Sequence, residues 1–488
     1  MRILLVASEA FPIVKTGGLA DVVGALPRGL AAHGVTARLL LPAYRGTAER
    51  VAVDRTGSIA LGDLLGVGHA SLLPFEHADA GLRGWLLECP ALFDRPGGPY
   101  LDERGHDHHD NHLRFGLLSR TAALLATMEG LTGFAVDVVH SHDWQAGLVS
   151  AYFEAFGGRR PSTVFTAHNL HFAGRFDASV LPEVGLPASM QRVVGVELWG
   201  SMSFLKAGLF FADRITTVSP TYAREIQTEA GGEGLHGLLH TRREALSGIL
   251  NGIDDQAWNP ARDAALAQTY DAGDSLLAGK AACKADLQRQ LGLDLTPAAP
   301  MVGMVGRLTG QKGVDLLLSA LPQLLSTGGQ LAVLGSGEPA LQLALHSAAA
   351  HHPGRVAFVQ GYDEALSHRL IAGVDLLAVP SRFEPCGLTQ MYAQRYGTPP
   401  IVRRTGGLAD TVLDADAHPD AGTGFSFEAP STDSLLDALM RAVSCYRDRP
   451  RLQAVQRRAM SLTRGWTKAA KPYAELYRDL LGVGSRTV

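Results

Sequence analysis

Hydrophobic and polar positions alternate on two scales along the chain. Short apolar runs at 2–7, 37–41, 136–140 and 162–166 each give way to a polar or glycine turn, the pattern of buried parallel strands. Leu19, Val22, Val23, Leu26 and Leu30 recur at helical spacing, which predicts a helix over 18–33 packed on the first strand. Pro27 inside it predicts a kink or break. The same rhythm resumes at 301–306, 330–334, 355–360, 376–380 and 400–403. Strand, turn, helix, strand is the grammar of doubly wound α/β sheets.

Over 251–300 the rhythm lapses. Trp258-Asn-Pro260, an Ala/Asp-rich stretch and Thr296-Pro-Ala-Ala-Pro300 read as a connection between two α/β domains. Residues 466–481 read as one amphipathic helix. The expected organisation is α/β: a Rossmann-like domain over 1–250, a second over 251–465, and a C-terminal helical segment, 466–488, packing back on the first.

Composition narrows the function classes. A chain of 488 residues with 46% hydrophobic and 19% charged residues has material for more than one core and is not a disordered protein. The 44 basic and 48 acidic residues leave a net charge of −4, so binding nucleic acid through bulk positive charge is excluded. Four cysteines, Cys89, Cys283, Cys386 and Cys445, form no CxxC pair, so neither a disulfide framework nor a zinc knuckle is expected. The first apolar run is too short for a signal-peptide core, and no run reaches the roughly 18–20 apolar residues of a membrane span. The expectation is a cytoplasmic protein without membrane contact.

Candidate chemistry collects where strands end. Lys15-Thr-Gly-Gly-Leu-Ala-Asp21 recurs as Arg404-Thr-Gly-Gly-Leu-Ala-Asp410. A cation, two glycines and a helix start together suit phosphate or sugar hydroxyls, although each copy also reads as a plain glycine turn. In Val138-Val-His-Ser-His-Asp-Trp144, His140 and His142 have the spacing of metal ligands, but no further ligands follow nearby. Asp143 reads as a helix cap that presents a carboxylate, and Trp144 reads either as a sugar-stacking face or as core. His168-Asn169 ends a strand, a position open to substrate or to a structural histidine. Arg307 and Lys312 lie five apart on a glycine-containing loop, and two cations on one loop match a dianionic phosphate. Glu384, between Phe383 and Pro385 directly after an apolar strand, is poorly explained by packing, and Cys386 reads as a small residue lining the same place. Gly335-Ser-Gly-Glu-Pro-Ala340 imitates a dinucleotide fingerprint but lacks the acid about 20 residues on. His106-Asp-His-His-Asp-Asn-His112 reads as a solvated polar loop.

Taken in order, these motifs resemble the bacterial glycogen synthases and plant starch synthases, GT-B glycosyltransferases that use ADP-glucose. Further matches are Phe204-Leu-Lys-Ala-Gly208, Thr217-Val-Ser-Pro-Thr221 and Leu250-Asn-Gly-Ile-Asp254. The resemblance implies two Rossmann-like domains facing an interdomain cleft, and no metal or organic cofactor. It implies glucose transfer from ADP-glucose to the nonreducing 4-hydroxyl of an α-1,4-glucan (glycogen, maltooligosaccharides) with retention of configuration. Under it, Lys15, Gly17, Gly18 and Asp21 contact the donor from the N-terminal domain, and Arg307 and Lys312 bind its diphosphate. His168 lies by the glucosyl group, Asp143, Trp144 and Asn169 line the sugar site, and Tyr100 and Asn251 stand nearby. Glu384 holds the donor glucose in a loop that continues through Cys386, Gly387, Leu388 and Thr389, with Thr405 and Gly406 beside it and Tyr362 by the adenine. Many retaining GT-B enzymes carry Glu-x7-Glu, but here the second position is Tyr392, so the two-carboxylate scheme of glycosidases does not transfer. His171-Phe-Ala173 departs from the more usual Ala-aromatic-Gln. With nothing preceding Met1-Arg-Ile, bacterial glycogen synthesis is favoured over plastid starch synthesis. A different nucleotide sugar such as UDP-glucose, or a catalytically idle glucan-binding protein, are the alternatives.

Overall fold

Ile3, Leu4, Leu5 and Val6 are all fully buried, because a strand covered on both faces must be apolar at every position rather than at alternate ones. This is β1 (Arg2–Val6), the centre of the first sheet. The computed structural model describes residues 1–128, 130–273 and 275–482. The chain divides into two units, Met1–Gly252 with the segment from Trp466 onward, and Ile253–Gly465.

In the N-terminal unit the strands are β1, β2 (Thr36–Pro42), β3 (Ala52–Val53), β4 (Ile59–Gly62), β5 (Ala70–His77), β6 (Leu82–Glu88), β7 (Val138–His142) and β8 (Ser162–Ala167). They continue as β9 (Arg175–Asp177), β10 (Glu197–Leu198), β11 (Ser201–Ser203), β12 (Arg214–Thr217) and β13 (Leu246–Gly248). The main sheet runs β13-β12-β8-β7-β1-β2-β6-β5-β3, with β4 on β5, while β9, β10 and β11 form a small separate sheet. From β13 to β6 every pairing is parallel, and β3, β4 and β5 add an antiparallel edge. The chain winds one way from β1 through β2 and β6 and the other way from β7 onward, so the order reverses between β1 and β7. Ligands of open α/β sheets bind outside the carboxyl ends of the strands at such a reversal.

The second unit repeats the plan with β14 (Met301–Val305), β15 (Gln330–Gly335), β16 (Val356–Gln360), β17 (Leu376–Val379), β18 (Pro400–Arg403) and β19 (Phe425–Phe427). Its all-parallel order, β16-β15-β14-β17-β18-β19, is the 3-2-1-4-5-6 order of a dinucleotide-binding sheet. The reversal falls between β14 and β17. In each unit apolar cores cover both faces of the sheet.

Several expectations change. Pro27 does not break its helix, which runs unbroken over Gly18–Ala31. The strand expected at 136–140 is displaced to Val138–His142, placing both histidines in it. The supposed connection contains a 16-residue helix, Leu276–Leu291. The single tail helix is two, Trp466–Ala469 and Lys471–Leu480. Trp466, Tyr473, Ala474 and Tyr477 join the core beneath β1, and Gly29 allows the close approach, since a Cβ there would meet Trp466 O at 2.6 Å. His108, Asp110, Asn111 and His112 are buried, so that stretch is no solvated loop. It anchors the helix Asn111–Thr127, with His108 Nε2 hydrogen-bonded to Gly98 O and Asp110 paired to Arg95. Pro339 is the first residue of the helix Pro339–His351, where its missing N–H costs nothing.

Candidate active site

The loop after β1 carries Ser8, Glu9 and Lys15 to the start of the helix Gly18–Ala31. Glu9 is buried, and its carboxylate accepts the Thr16 N–H at 2.5 Å, the Thr16 hydroxyl at 2.9 Å and the Tyr100 hydroxyl at 3.1 Å. Burial raises the Glu9 pKa, and these hydrogen bonds oppose the rise. Tyr100 also meets Ser8 Oγ at 2.7 Å. Sequence reasoning missed Glu9, although an acid just beyond an apolar strand is the signal that singled out Glu384. Lys15 pairs with Asp21 at 2.8 Å and lies 5.2 Å from the centre of the Phe11 ring. A Cβ at Gly17 or Gly18 would meet nothing within 4 Å, so these glycines border open space at the helix start.

Across the reversal, the loop after β7 brings Asp143. Its backbone lies at φ 55°, ψ −179°, a region that is nearly glycine-only and costs about 1–3 kcal/mol. Asp143 does not cap the following turn, as expected from sequence. Its Oδ1 instead accepts the His168 N–H at 2.7 Å, tying the ends of β7 and β8 together. Burial pushes the Asp143 pKa up to about 7, against the backbone N–H groups of His168 and Asn169. The His168 imidazole is held down to about 3 by burial, so it is neutral. Its Nε2 lies 3.1 Å from His142 Nδ1. Asn169 Oδ1 accepts the His171 N–H at 3.0 Å. Trp144 is half-buried and packs against the core. Its ring packs edge-on to Phe115 at 4.9 Å and beside Phe176 and Phe204, beneath Gly174. Asn251 is buried, and its Oδ1 has no partner among the described residues.

In the C-terminal unit the loops after β14 and β17 flank the other reversal. Arg307 is exposed just beyond β14 and makes no ion pair among the described residues. Lys312 is not a free cation. Its Nζ donates to Glu384 Oε2 at 2.5 Å, and Ser381 Oγ donates to the same oxygen at 2.9 Å. That pairing explains an acid after an apolar strand. Gly407 N–H donates to Glu384 O and Pro385 O at 3.1 Å. Gly406 has φ 44°, and a Cβ there would overlap Glu384 O. The second Thr-Gly-Gly copy therefore braces the Glu384 loop with its backbone, whereas the first copy borders open space. Cys386 is buried. Gly387 has φ 71°, and Leu388 and Thr389 start the helix Thr389–Arg395, with Thr405 immediately preceding the helix Gly406–Thr411. Tyr362 is exposed past the end of β16, its hydroxyl on Glu364. No group of three or more His, Cys, Asp or Glu among the described residues could hold a metal ion, and no helix among them is long and apolar enough to cross a membrane.

The starch synthase catalytic domain family matches residues 2–241, and the glycosyl transferases group 1 family matches residues 291–458. The glycogen synthase of Rhodospirillum rubrum is 48% identical over 483 residues, covering 99% of both chains. The chain belongs to the glycogen and starch synthase family. The glycogen synthase of Acidiphilium cryptum is 49% identical over 485 residues, 98% of this chain and 99% of that one. The catalytic domain of starch synthase IV from Arabidopsis thaliana, solved bound to ADP and acarbose, superposes with a TM-score of 0.88 at 33% identity over 99% of each chain. The GT-B fold and glycosyltransferase activity expected from the motifs follow from this membership. Sucrose-phosphate synthase from Thermosynechococcus elongatus shares the fold, with a TM-score of 0.61 at 19% identity. Within the family's architecture, the two strand-order reversals carry the polar, strained and ion-paired loops.

Proposed function

We propose that this family member extends glycogen in the cytoplasm. It transfers glucose from ADP-glucose to the nonreducing 4-hydroxyl of an α-1,4-glucan and retains the α configuration. The observation that supports the reading is the pair of loops at the C-terminal sheet's reversal, which carries Arg307 and the Lys312–Glu384 pair at the strand ends where ligands of such sheets generally bind. Arg307 engages the donor diphosphate. An ammonium has three N–H groups, so Lys312 can serve phosphate while Glu384 holds it in place. Both offset the charge that develops on departing ADP, usually the largest electrostatic need of such a reaction. Tyr362 stands by the adenine, and Glu384, Cys386, Gly387, Leu388, Thr389, Thr405 and Gly406 shape the loop that receives the donor glucose.

The N-terminal unit handles the sugar. Lys15, Gly17, Gly18 and Asp21 form the open helix start toward the donor, fastened from behind by Glu9 and Tyr100. His168, neutral, donates a hydrogen bond to the glucosyl group. Asp143 supplies negative potential for an oxocarbenium-like transition state, with Asn169 and Asn251 nearby. Trp144 braces the Asp143 turn. The displacement is front-face: the C1–O bond to the β-phosphate breaks, the bond from C1 to the acceptor O4 forms on the same side, and the acceptor proton passes to the departing phosphate oxygen. No carboxylate pair is needed.

Donor choice is tested by supplying ADP-glucose and UDP-glucose separately with maltoheptaose and quantifying the released nucleotide. Faster release from ADP-glucose supports the reading, and faster release from UDP-glucose overturns the donor assignment.

A further inference from the structure

Because strand side chains repeat every second residue, His140 and His142 leave β7 on the same face and stack, with ring centres 4.2 Å apart and planes 30° apart. His140 uses both ring nitrogens: Nδ1 meets the Tyr477 hydroxyl at 2.7 Å, and Nε2 meets Thr166 Oγ1 at 2.6 Å. Thr166 continues to Thr216 Oγ1. Tyr477, from the C-terminal helix Lys471–Leu480, therefore fixes His140, and the stack fixes the plane of His142. His142 Nδ1 points at His168 Nε2, 3.1 Å away, while His142 Nε2 is buried with no partner among the described residues.

That orphaned nitrogen decides where the protons sit. A neutral imidazole has one N–H. If His168 donated from Nε2, His142 would have to carry its own proton on Nε2, leaving a buried N–H unpaired. If His142 donates from Nδ1, only an idle lone pair is buried. Unpaired buried N–H groups are the rarer and costlier of the two. A charged His142 would bury the same unpaired N–H beside His140, and burial holds its pKa well below the ordinary value.

We propose that His142 is a positioning residue: it donates from Nδ1 to His168 Nε2 and so holds His168 as the Nδ1–H tautomer, presenting a hydrogen-bond donor to the glucosyl group. This rests on the placement of His168 given above and adds the residue that sets its proton. The His168 backbone N–H is already bound by Asp143, so backbone and ring are both fixed before substrate arrives. Nδ1 is the one ring nitrogen left to act. Such a partner, behind a histidine and out of substrate's reach, orients the ring and selects its tautomer.

The test combines a spectrum with variants of the full-length protein. In protein carrying 15N-labelled histidine, two-bond couplings from ring protons to ring nitrogens distinguish the tautomers, and His168→Gln and His142→Phe variants assign the signals. The wild type is expected to show His168 protonated on Nδ1. His142→Phe keeps the ring and the stack but removes the donor. It is expected to lower kcat by about 10-fold to 100-fold with donor KM changed less than about twofold, and to release His168 from its single tautomer. His142→Asn, whose amide N–H lies near the Nδ1 position, is expected to restore most of kcat. An Nε2–H tautomer in the wild type, unchanged kcat in His142→Phe, or an Asn variant as impaired as the Phe variant would each overturn the proposal. Unchanged turnover in His168→Ala would instead overturn the placement of His168, and with it the purpose assigned to His142, while the spectrum alone judges the tautomer.

Discussion

Asp143→Asn is expected to make the protein more stable and nearly inactive. The wild-type carboxyl has its pKa pushed up to about 7 by burial, while an aspartate in the unfolded chain ionises near its ordinary 3.8. Below about pH 4 the carboxyl is protonated in both states and costs nothing. Between pH 4 and 7 the unfolded chain loses its proton first, so the folded state loses relative stability as pH rises, and the full cost is present above pH 7. That separation corresponds to on the order of 4 kcal/mol, at about 1.4 kcal/mol per pH unit. Asp143 keeps partial solvent exposure, and screening reduces the cost to about 2 kcal/mol. Asparagine removes it while its Oδ1 still accepts the His168 N–H, and the backbone strain is unchanged. For a unit of this size the gain corresponds to a rise in Tm of roughly 4–8 °C at pH 8. Scanning calorimetry of both proteins at pH 4.5 and pH 8 reads the difference, which should shrink toward zero in acid. ADP release with maltoheptaose should show kcat lower by about 10²-fold or more, because a charge aimed at the transition state is gone. A variant less stable than wild type at pH 8, an advantage independent of pH, or a near-normal kcat would refute the reasoning.

Other substitutions separate the roles in the C-terminal loops. Arg307→Ala should lower turnover by about 10²–10³-fold without changing Tm, since its side chain is exposed, and ADP-release kinetics beside a melting curve check both. Lys312→Ala should lower turnover similarly and also cost about 1–3 kcal/mol, because it strands the Glu384 carboxylate; urea titration reads the loss. Glu384→Gln keeps the Ser381 hydrogen bond and should retain measurable transfer, whereas a nucleophile would lose essentially all of it. Mass spectrometry after incubation with a slow fluorinated donor should find no glucosyl ester on Glu384. Gly406→Ala should abolish turnover with little loss of secondary structure by circular dichroism, since its Cβ collides with the backbone that carries Glu384.

The parallel strands were legible because Ile3 to Val6, Met301 to Val305 and Leu376 to Val379 must be apolar on both faces. The positions of Asp143, Arg307 and Glu384 were legible because each lies just past an apolar strand, and that of Lys15 because its Thr-Gly-Gly motif recurs. The helix Leu276–Leu291 was not, because its buried face includes Lys280 and Lys284. Lys280 donates to the carbonyls of Ala372 and Val374 and the Thr398 hydroxyl, and Lys284 pairs with Asp375, so polar letters stand where apolar ones were sought. The two Thr-Gly-Gly copies read alike, yet long-range backbone contacts of Gly406 and Gly407 set the second apart. Pairings such as Glu9 with Thr16, Lys312 with Glu384 and His142 with His168 join residues brought together by the fold, and spacing alone does not reveal them.

The central claim is retaining glucosyl transfer from ADP-glucose to the end of a glucan. Its most direct measurement follows a mixture of protein, ADP-glucose and maltoheptaose by proton NMR, with ADP quantified in parallel. The account predicts that the internal α-1,4 anomeric signal grows one for one with ADP and that no β-anomeric product forms. ADP released with only free glucose, a β-linked product, or no growth of the α-1,4 signal would contradict it.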